Sequence, residues 1–208
     1  MKKPFHRFLR GDLPLNRIEA LSDGVFAIIV TLLVLDLKTP ELHDPKSVME
    51  LWHSLLAQAP RFLSWLISFV IVCKFWLNHH HLLRLARSAD YGMIWLNSIF
   101  LMFQSFVPFP TALMGSYPDN ALAVSFFGLV MAFNTLLFIG LKAYIVRRRI
   151  KPEMAEFHVP GIVALSFVGP AGYLLGAAFA WWNVAAAFVF YVVTPWFFIV
   201  PPQETRRA

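Results

Sequence analysis

Near the start of the chain, Arg17, Glu19, Ser22 and Asp23 lead into an apolar run that continues to Leu35. A later apolar run ends in Lys74-Phe75-Trp76-Leu77-Asn78-His79-His80-His81. These are the polar groups whose types could do chemistry. A carboxylate at Asp23 can accept a hydrogen bond from an imidazole or from the Trp76 indole N–H. A carboxylate beside a histidine can also relay protons near neutral pH. Three adjacent histidines raise the question of a metal. Ligands on one helix need a spacing of three or four residues, or partners elsewhere, and His79, His80 and His81 do not share a helix face.

A helical projection at roughly 100° per residue separates the groups of the first run. With Arg17 as origin, Leu21, Gly24, Ile28, Thr31, Leu32 and Leu35 fall in one stripe. Glu19 and Asp23 point away from it and Ser22 lies on a flank. Asp23 therefore needs a partner from another helix, or water. Every face is apolar from Val25 to Leu35, so periodicity alone does not distinguish a pore-lining stripe from one that meets lipid or packs on a neighbour.

The elements that position these residues are membrane helices. The chain has 208 residues, of which 58% are hydrophobic and 14% charged, with a mean hydropathy of +0.61. An ordinary soluble domain is about a quarter charged, so an aqueous surface could not be built here. Six segments approach the roughly 20 apolar residues that span a bilayer: about 18–37, 55–77, 93–113, 121–146, 159–180 and 184–200. They form a single transmembrane domain over 1–208. Residues 38–54 are the one connection long enough for a short amphipathic stretch. Trp181-Trp182-Asn183 reads as a tight turn with interfacial aromatics. Internal prolines such as Pro170 and Pro195 are tolerable where neighbouring helices satisfy the freed carbonyls.

The formal charge of +6 sits in short clusters between apolar runs, which suits membrane topology and not a nucleic-acid face. Lys2, Lys3, Arg7, Arg10 and Arg17 precede the first helix. Arg84 and Arg87, beside the three histidines, follow the second. Arg147, Arg148, Arg149 and Lys151 follow the fourth, and Arg206 and Arg207 end the chain. In the first intervening connection Glu41, Asp44 and Glu50 outnumber Lys38 and Lys46, and Asp119 marks the next. Such alternation needs an even number of helices with both termini cytoplasmic. The first helix is read as retained, because Asp-Leu-Lys-Thr-Pro follows it where a signal peptide would have a small-residue cleavage site. The single cysteine, Cys73, excludes an intrachain disulfide.

Catalytic signatures are missing. There is no nucleophile elbow, Gly-rich phosphate loop, HExxH motif or cysteine pair. No TVGYG run is present to build a carbonyl potassium filter. No enzyme activity, catalytic residue, resident metal or cofactor is expected.

Arg17-Ile-Glu-Ala-Leu21-Ser22-Asp23-Gly24 resembles the RxxxFSD motif of the TMEM175 family of potassium channels in its prokaryotic six-helix form. Two further stretches are similar to that family: Phe75-Trp76-Leu-Asn-His79-His80, and Trp95-Leu96-Asn97-Ser98 through Phe106-Val-Pro108-Phe-Pro110-Thr111. The likeness covers the first three helices by motif and the last three by hydropathy and length. Leu21 departs from the motif phenylalanine, which changes local packing and leaves the polar groups intact.

The resemblance implies a homotetramer in the bacterial inner membrane, with the first helix of each subunit lining a central pore and an apolar side-chain constriction in place of a carbonyl filter. By position, the narrow ring falls on Ile28, with further rings on Leu32 or Leu35 and a hydroxyl layer on Thr31. Arg17, Ser22 and Asp23 would tie the helix to its neighbours, joined by Trp76 and by His79 or His80. Asp36, near the outer mouth, would favour cations by its field. The implied partners are potassium as permeant ion, the lipid bilayer and further copies of the chain. Two other readings stay open: a membrane enzyme or metal-binding protein built on His79, His80, His81 and Asp23, and a proton-conducting channel.

Overall fold

The structure is a computed structural model that describes residues 14–152 and 166–196. It is a bundle of packed helices. The first helix, α1 (Asn16–Leu33), continues through a 3-10 turn at Val34–Asp36. A short helix follows, α2 (Val48–Ala57), and then the long α3 (Ala59–Leu85). Next come α4 (Tyr91–Ser105), α5 (Pro108–Ser116) and α6 (Ala121–Arg148). Beyond these lie α7 (Val168–Phe179) and α8 (Val184–Trp196).

Local sequence sets these boundaries. The Ser47 hydroxyl accepts from Glu50 N–H to start α2, while the Glu50 carboxylate accepts from the His43 and Asp44 N–H groups. Pro60 sits in the first turn of α3, where its missing N–H is not needed. Asp90 caps α4 by accepting from Met93 N–H. Pro108 starts α5 and interrupts the helix begun at Tyr91, because it cannot donate into the preceding turn. Asn120 caps α6 through Leu122 and Ala123 N–H. Asn183 accepts from Ala186 N–H after the Trp181-Trp182 turn, and both indoles are exposed.

Among the described residues, four stretches are long and apolar enough to cross a membrane: Asn16–Asp36, Ala59–Leu85, Tyr91–Ser116 and Ala121–Arg148. Val168–Phe179 and Val184–Trp196 are apolar and shorter over the described residues. Relative to the sequence expectation, the second span loses residues 55–57 to α2 and runs on to Leu85. His79, His80 and His81 therefore lie on helix α3 and not in a loop. Helix propagation continues because nothing after Leu77 breaks it and Leu82 and Leu83 bury a further turn. The third span is a helix pair broken at Phe106–Val107. The expected fifth and sixth spans fall partly on 159–165 and 197–200, outside the described residues.

The interior is strongly aromatic. Phe26, Phe75, Phe100 and Phe138 make mutual ring contacts between α1, α3, α4 and α6. Phe127, Tyr173 and Tyr191 join α6, α7 and α8. Gly128 permits that approach, since a Cβ there would lie 2.8 Å from the Tyr173 carbonyl. At the end of the bundle carrying Arg84 and Arg147, Arg87 N–H donates to Arg149 C=O and Lys151 N–H to Leu85 C=O, each at 2.9 Å. This two-rung latch ties the α3–α4 loop to the end of α6.

Candidate functional site: the first helix and its polar anchor

Helix α1 packs against α3, α4 and α5 on one side. Its inward residues are Ile18, Ser22, Phe26, Ile29 and Leu33, all buried. Leu21, Gly24, Ile28, Thr31, Leu32 and Leu35 are all exposed, with Ile28 at 59% and Leu35 at 70%. The stripe drawn from the sequence is thus the face of α1 that the rest of the chain leaves uncovered. Thr31 Oγ1 donates to Ile28 C=O at 2.8 Å, so its lone pairs remain available on that face. Asp36 is half-buried in the 3-10 turn at the far end.

The inward face is anchored by a polar chain. Asn97 Nδ2 donates to Ser22 Oγ at 3.1 Å. With the amide in this orientation, Asn97 Oδ1 accepts from His79 Nε2–H at 2.7 Å. Ser22, His79 and Asn97 are all buried. The His79 ring lies nearly parallel to Phe100, at 15° and 5.8 Å, and also touches Phe26. One imidazole therefore joins the polar link to the aromatic layer and cross-braces α1, α3 and α4.

Asp23 has its own tie. Trp76 Nε1 donates to Asp23 Oδ1 at 2.9 Å, and the indole stacks on His80 at 6.2 Å. His80 thus stands behind Trp76, while His79 belongs to the buried chain. Ser22, Asp23, Trp76 and the two histidines come together around one end of α1. Arg17 does not join them; it is exposed and bonds to no described side chain.

Asn97 was not among the site residues expected from sequence, although it is the link on which Ser22 and His79 depend. Its signal was an amide in the middle of an apolar helix, which must face protein and not lipid. A second missed feature is Asp90. It accepts from Tyr144 Oη at 2.8 Å and from Arg149 Nε at 2.9 Å, besides capping α4. Burial alone would raise its carboxyl pKa; the Met93, Tyr144 and Arg149 hydrogen bonds and the Arg149 charge outweigh that and hold it below the usual range.

Among the described residues no three His, Cys, Asp or Glu side chains come together in a way that could hold a metal ion. His79 faces the core away from the other two, while His80 stacks on Trp76 and meets the exposed His81 ring at 6.1 Å.

A family model described as endosomal/lysosomal potassium channel TMEM175 matches residues 17–108. A protein named potassium channel from Chamaesiphon minutus is 36% identical over 187 residues, covering 84% of this chain and 90% of its own. The human protein named endosomal/lysosomal proton channel TMEM175 is 41% identical over 105 residues, 48% of this chain and 21% of its own. Among solved structures, a lysosomal potassium-selective channel TMEM175 homolog from Chamaesiphon minutus superimposes with a TM-score of 0.78 at 32% identity. That match covers 89% of this chain and 96% of the other.

Proposed function

The chain belongs to the TMEM175 family, and from that premise we propose that it is a potassium-permeable cation channel with α1 as its pore-lining helix. The observation that carries the reading is the division of α1 into a buried anchoring face and an uncovered apolar face. The Chamaesiphon minutus relative named potassium channel, alike over nearly its whole length, supports the choice of ion. Four copies arranged about an axis would turn the uncovered face into a pore wall. Ile28 would form the neck, with Leu32 and Leu35 as further apolar rings.

The physics of such a neck is dewetting, which closes a narrow apolar pore without a moving gate. The outward lone pairs of Thr31 would meet a partly dehydrated cation just beyond the neck. Potassium sheds water at less cost than sodium, so the neck favours it modestly. Asp36 would add a negative field at the mouth. The polar anchor has a mechanical role: Ser22–Asn97–His79 and Asp23–Trp76 fix the rotation of α1 and hence which residues face the axis. The basic residues Arg84, Arg87, Arg147, Arg148, Arg149 and Lys151 support a reading in which both termini face the cytoplasm across a bacterial inner membrane.

A second reading concerns protons. Asp23 lies beside the uncovered face and contacts Trp76, which stacks on His80, and the human relative is named a proton channel. Proton passage through the same pore fits this arrangement. Purified protein in liposomes tests both readings. A reversal potential that follows the potassium gradient supports the first, and an added shift with the pH gradient supports the second. A protein that remains monomeric in the bilayer and carries neither potassium nor proton current overturns both.

A further inference from the structure

The three consecutive arginines at the end of α6 are used differently. Arg149 is held by Asp90, in an ion pair. Arg148 lies over the Tyr144 ring, 5.5 Å from its centroid. Arg147 and Arg148 are both exposed and neither pairs with a described carboxylate. Beneath them is a slot of about 340 Å³ lined by Leu96 of α4 and by Gly140, Ala143, Tyr144, Arg147 and Arg148 of α6. The slot exists because the α6 positions are small: a Cβ at Gly140 would meet nothing within 4 Å. Gly140 lies roughly 12 Å along α6 from Arg148 and is exposed, so the slot runs from the basic rim along the apolar outer face of α6.

We infer that this slot binds one anionic phospholipid, with its phosphate between Arg147 and Arg148 and the upper part of an acyl chain along Leu96, Gly140 and Ala143. The occupant follows from the lining. The wall is apolar and lies in a membrane-crossing segment, so hydrocarbon is its ordinary neighbour. The rim carries two unneutralised guanidiniums, which suit a phosphate oxygen by charge and by geometry. The nearby carboxylate, Asp90, does not repel an anion because Arg149 compensates it. Tyr144 is locked by its hydroxyl to Asp90, so its ring forms a fixed wall at headgroup depth. The inference depends on the bilayer placement of the chain and not on the ion it conducts.

Native mass spectrometry of the full-length protein in mild detergent tests it, titrating phosphatidylglycerol, phosphatidylcholine or inorganic phosphate. Phosphatidylglycerol should be retained in preference to phosphatidylcholine. At about 1 kcal/mol per basic residue near the surface, Arg147→Gln or Arg148→Gln should weaken retention about fivefold and the pair about thirtyfold. Arg84→Gln with Arg87→Gln, on the same basic end outside the slot, should leave it unchanged. Gly140→Leu, which fills open space, should also weaken it. Equal loss with the Arg84/Arg87 variant, or full retention in Gly140→Leu, reduces the effect to general surface charge and overturns the site. Displacement of the lipid by inorganic phosphate overturns the acyl-chain half. A change of subunit number in Gly140→Leu with lipid retention unaltered assigns the slot to a second copy of the chain, against the proposal.

Discussion

Ile28 and Ile29 are adjacent, chemically identical, and differ sharply in exposure on α1: Ile28 is 59% exposed and Ile29 1%. Their environments differ only because the helix turns between them. Truncating each in turn should separate pore from core. Ile29→Ala removes buried volume and should lower stability by about 2–4 kcal/mol. Ile28→Ala should leave thermal stability within about 1 kcal/mol and widen the neck, raising conductance and lowering the potassium-to-sodium ratio. Ile28→Asn should hydrate the neck and do so more strongly. Unchanged currents in both Ile28 variants would remove it as the constriction.

Asn97 links two partners that cannot reach one another directly. Asn97→Leu strands the Ser22 hydroxyl and His79 Nε2–H in the interior. Side-chain hydrogen bonds between membrane helices average about 0.6 kcal/mol, so losing both should cost about 1–2 kcal/mol in thermal unfolding. Trp76→Phe leaves an exposed Asp23 that water can serve and should cost less. If Trp76→Phe proves the more damaging of the two, the buried chain is not the principal anchor of α1.

Asp90 gives a pH dependence with a definite sign. Its folded pKa is depressed below the ordinary value of 3.8, so its contribution is fully present above that pH. It is lost as pH falls through the lower folded value. Melting temperature measured from neutral pH downward should show this acid-side loss. Asp90→Asn should be less stable at neutral pH, by about 2 kcal/mol for charge-assisted hydrogen bonds. The gap to wild type should close as pH drops below 3.8. A constant gap across that range would rule out ionised Asp90 as the source.

Gly128 sits where α6, α7 and α8 meet. A methyl group there meets the Tyr191 hydroxyl and the Tyr173 carbonyl. Gly128→Ala should destabilise by about 1–3 kcal/mol through overpacking. Gly128→Ala with Tyr191→Phe should recover part of the loss, because the hydroxyl is removed and the carbonyl stays. No recovery would mean that the backbone contact sets the whole cost.

Much of this protein was legible from hydropathy. The membrane-crossing stretches are set by length and apolar content; the Ser47 and Asn120 caps were not singled out from sequence, although their capping is short-range. The Trp181-Trp182 turn was plain, because interfacial aromatics and a capping amide are adjacent in sequence. Less legible was the extent of α3. The histidines after Leu77 resemble a loop by polarity, and only the burial of Leu82 and Leu83 on the same helix carries it to Leu85. The partition among His79, His80 and His81 was undecided for the same reason. Three identical residues in a row have no periodicity, and Asn97 of another helix selects the first of them.

By itself the sequence determined that the chain is a helical membrane protein and that Leu21, Gly24, Ile28, Thr31, Leu32 and Leu35 share one helix face, since both follow from residue type and the 3.6-residue turn. It could not say which face of α1 turns inward, because the helix is apolar all round from Val25 to Leu35. The tertiary structure decided that through contacts distant in sequence. Phe26 enters the aromatic layer with Phe100, Ser22 reaches Asn97, and Asp23 reaches Trp76. Together they leave Ile28 and its stripe uncovered. Local chemistry aligned the residues of the uncovered face, and packing against α3 and α4 turned that face outward.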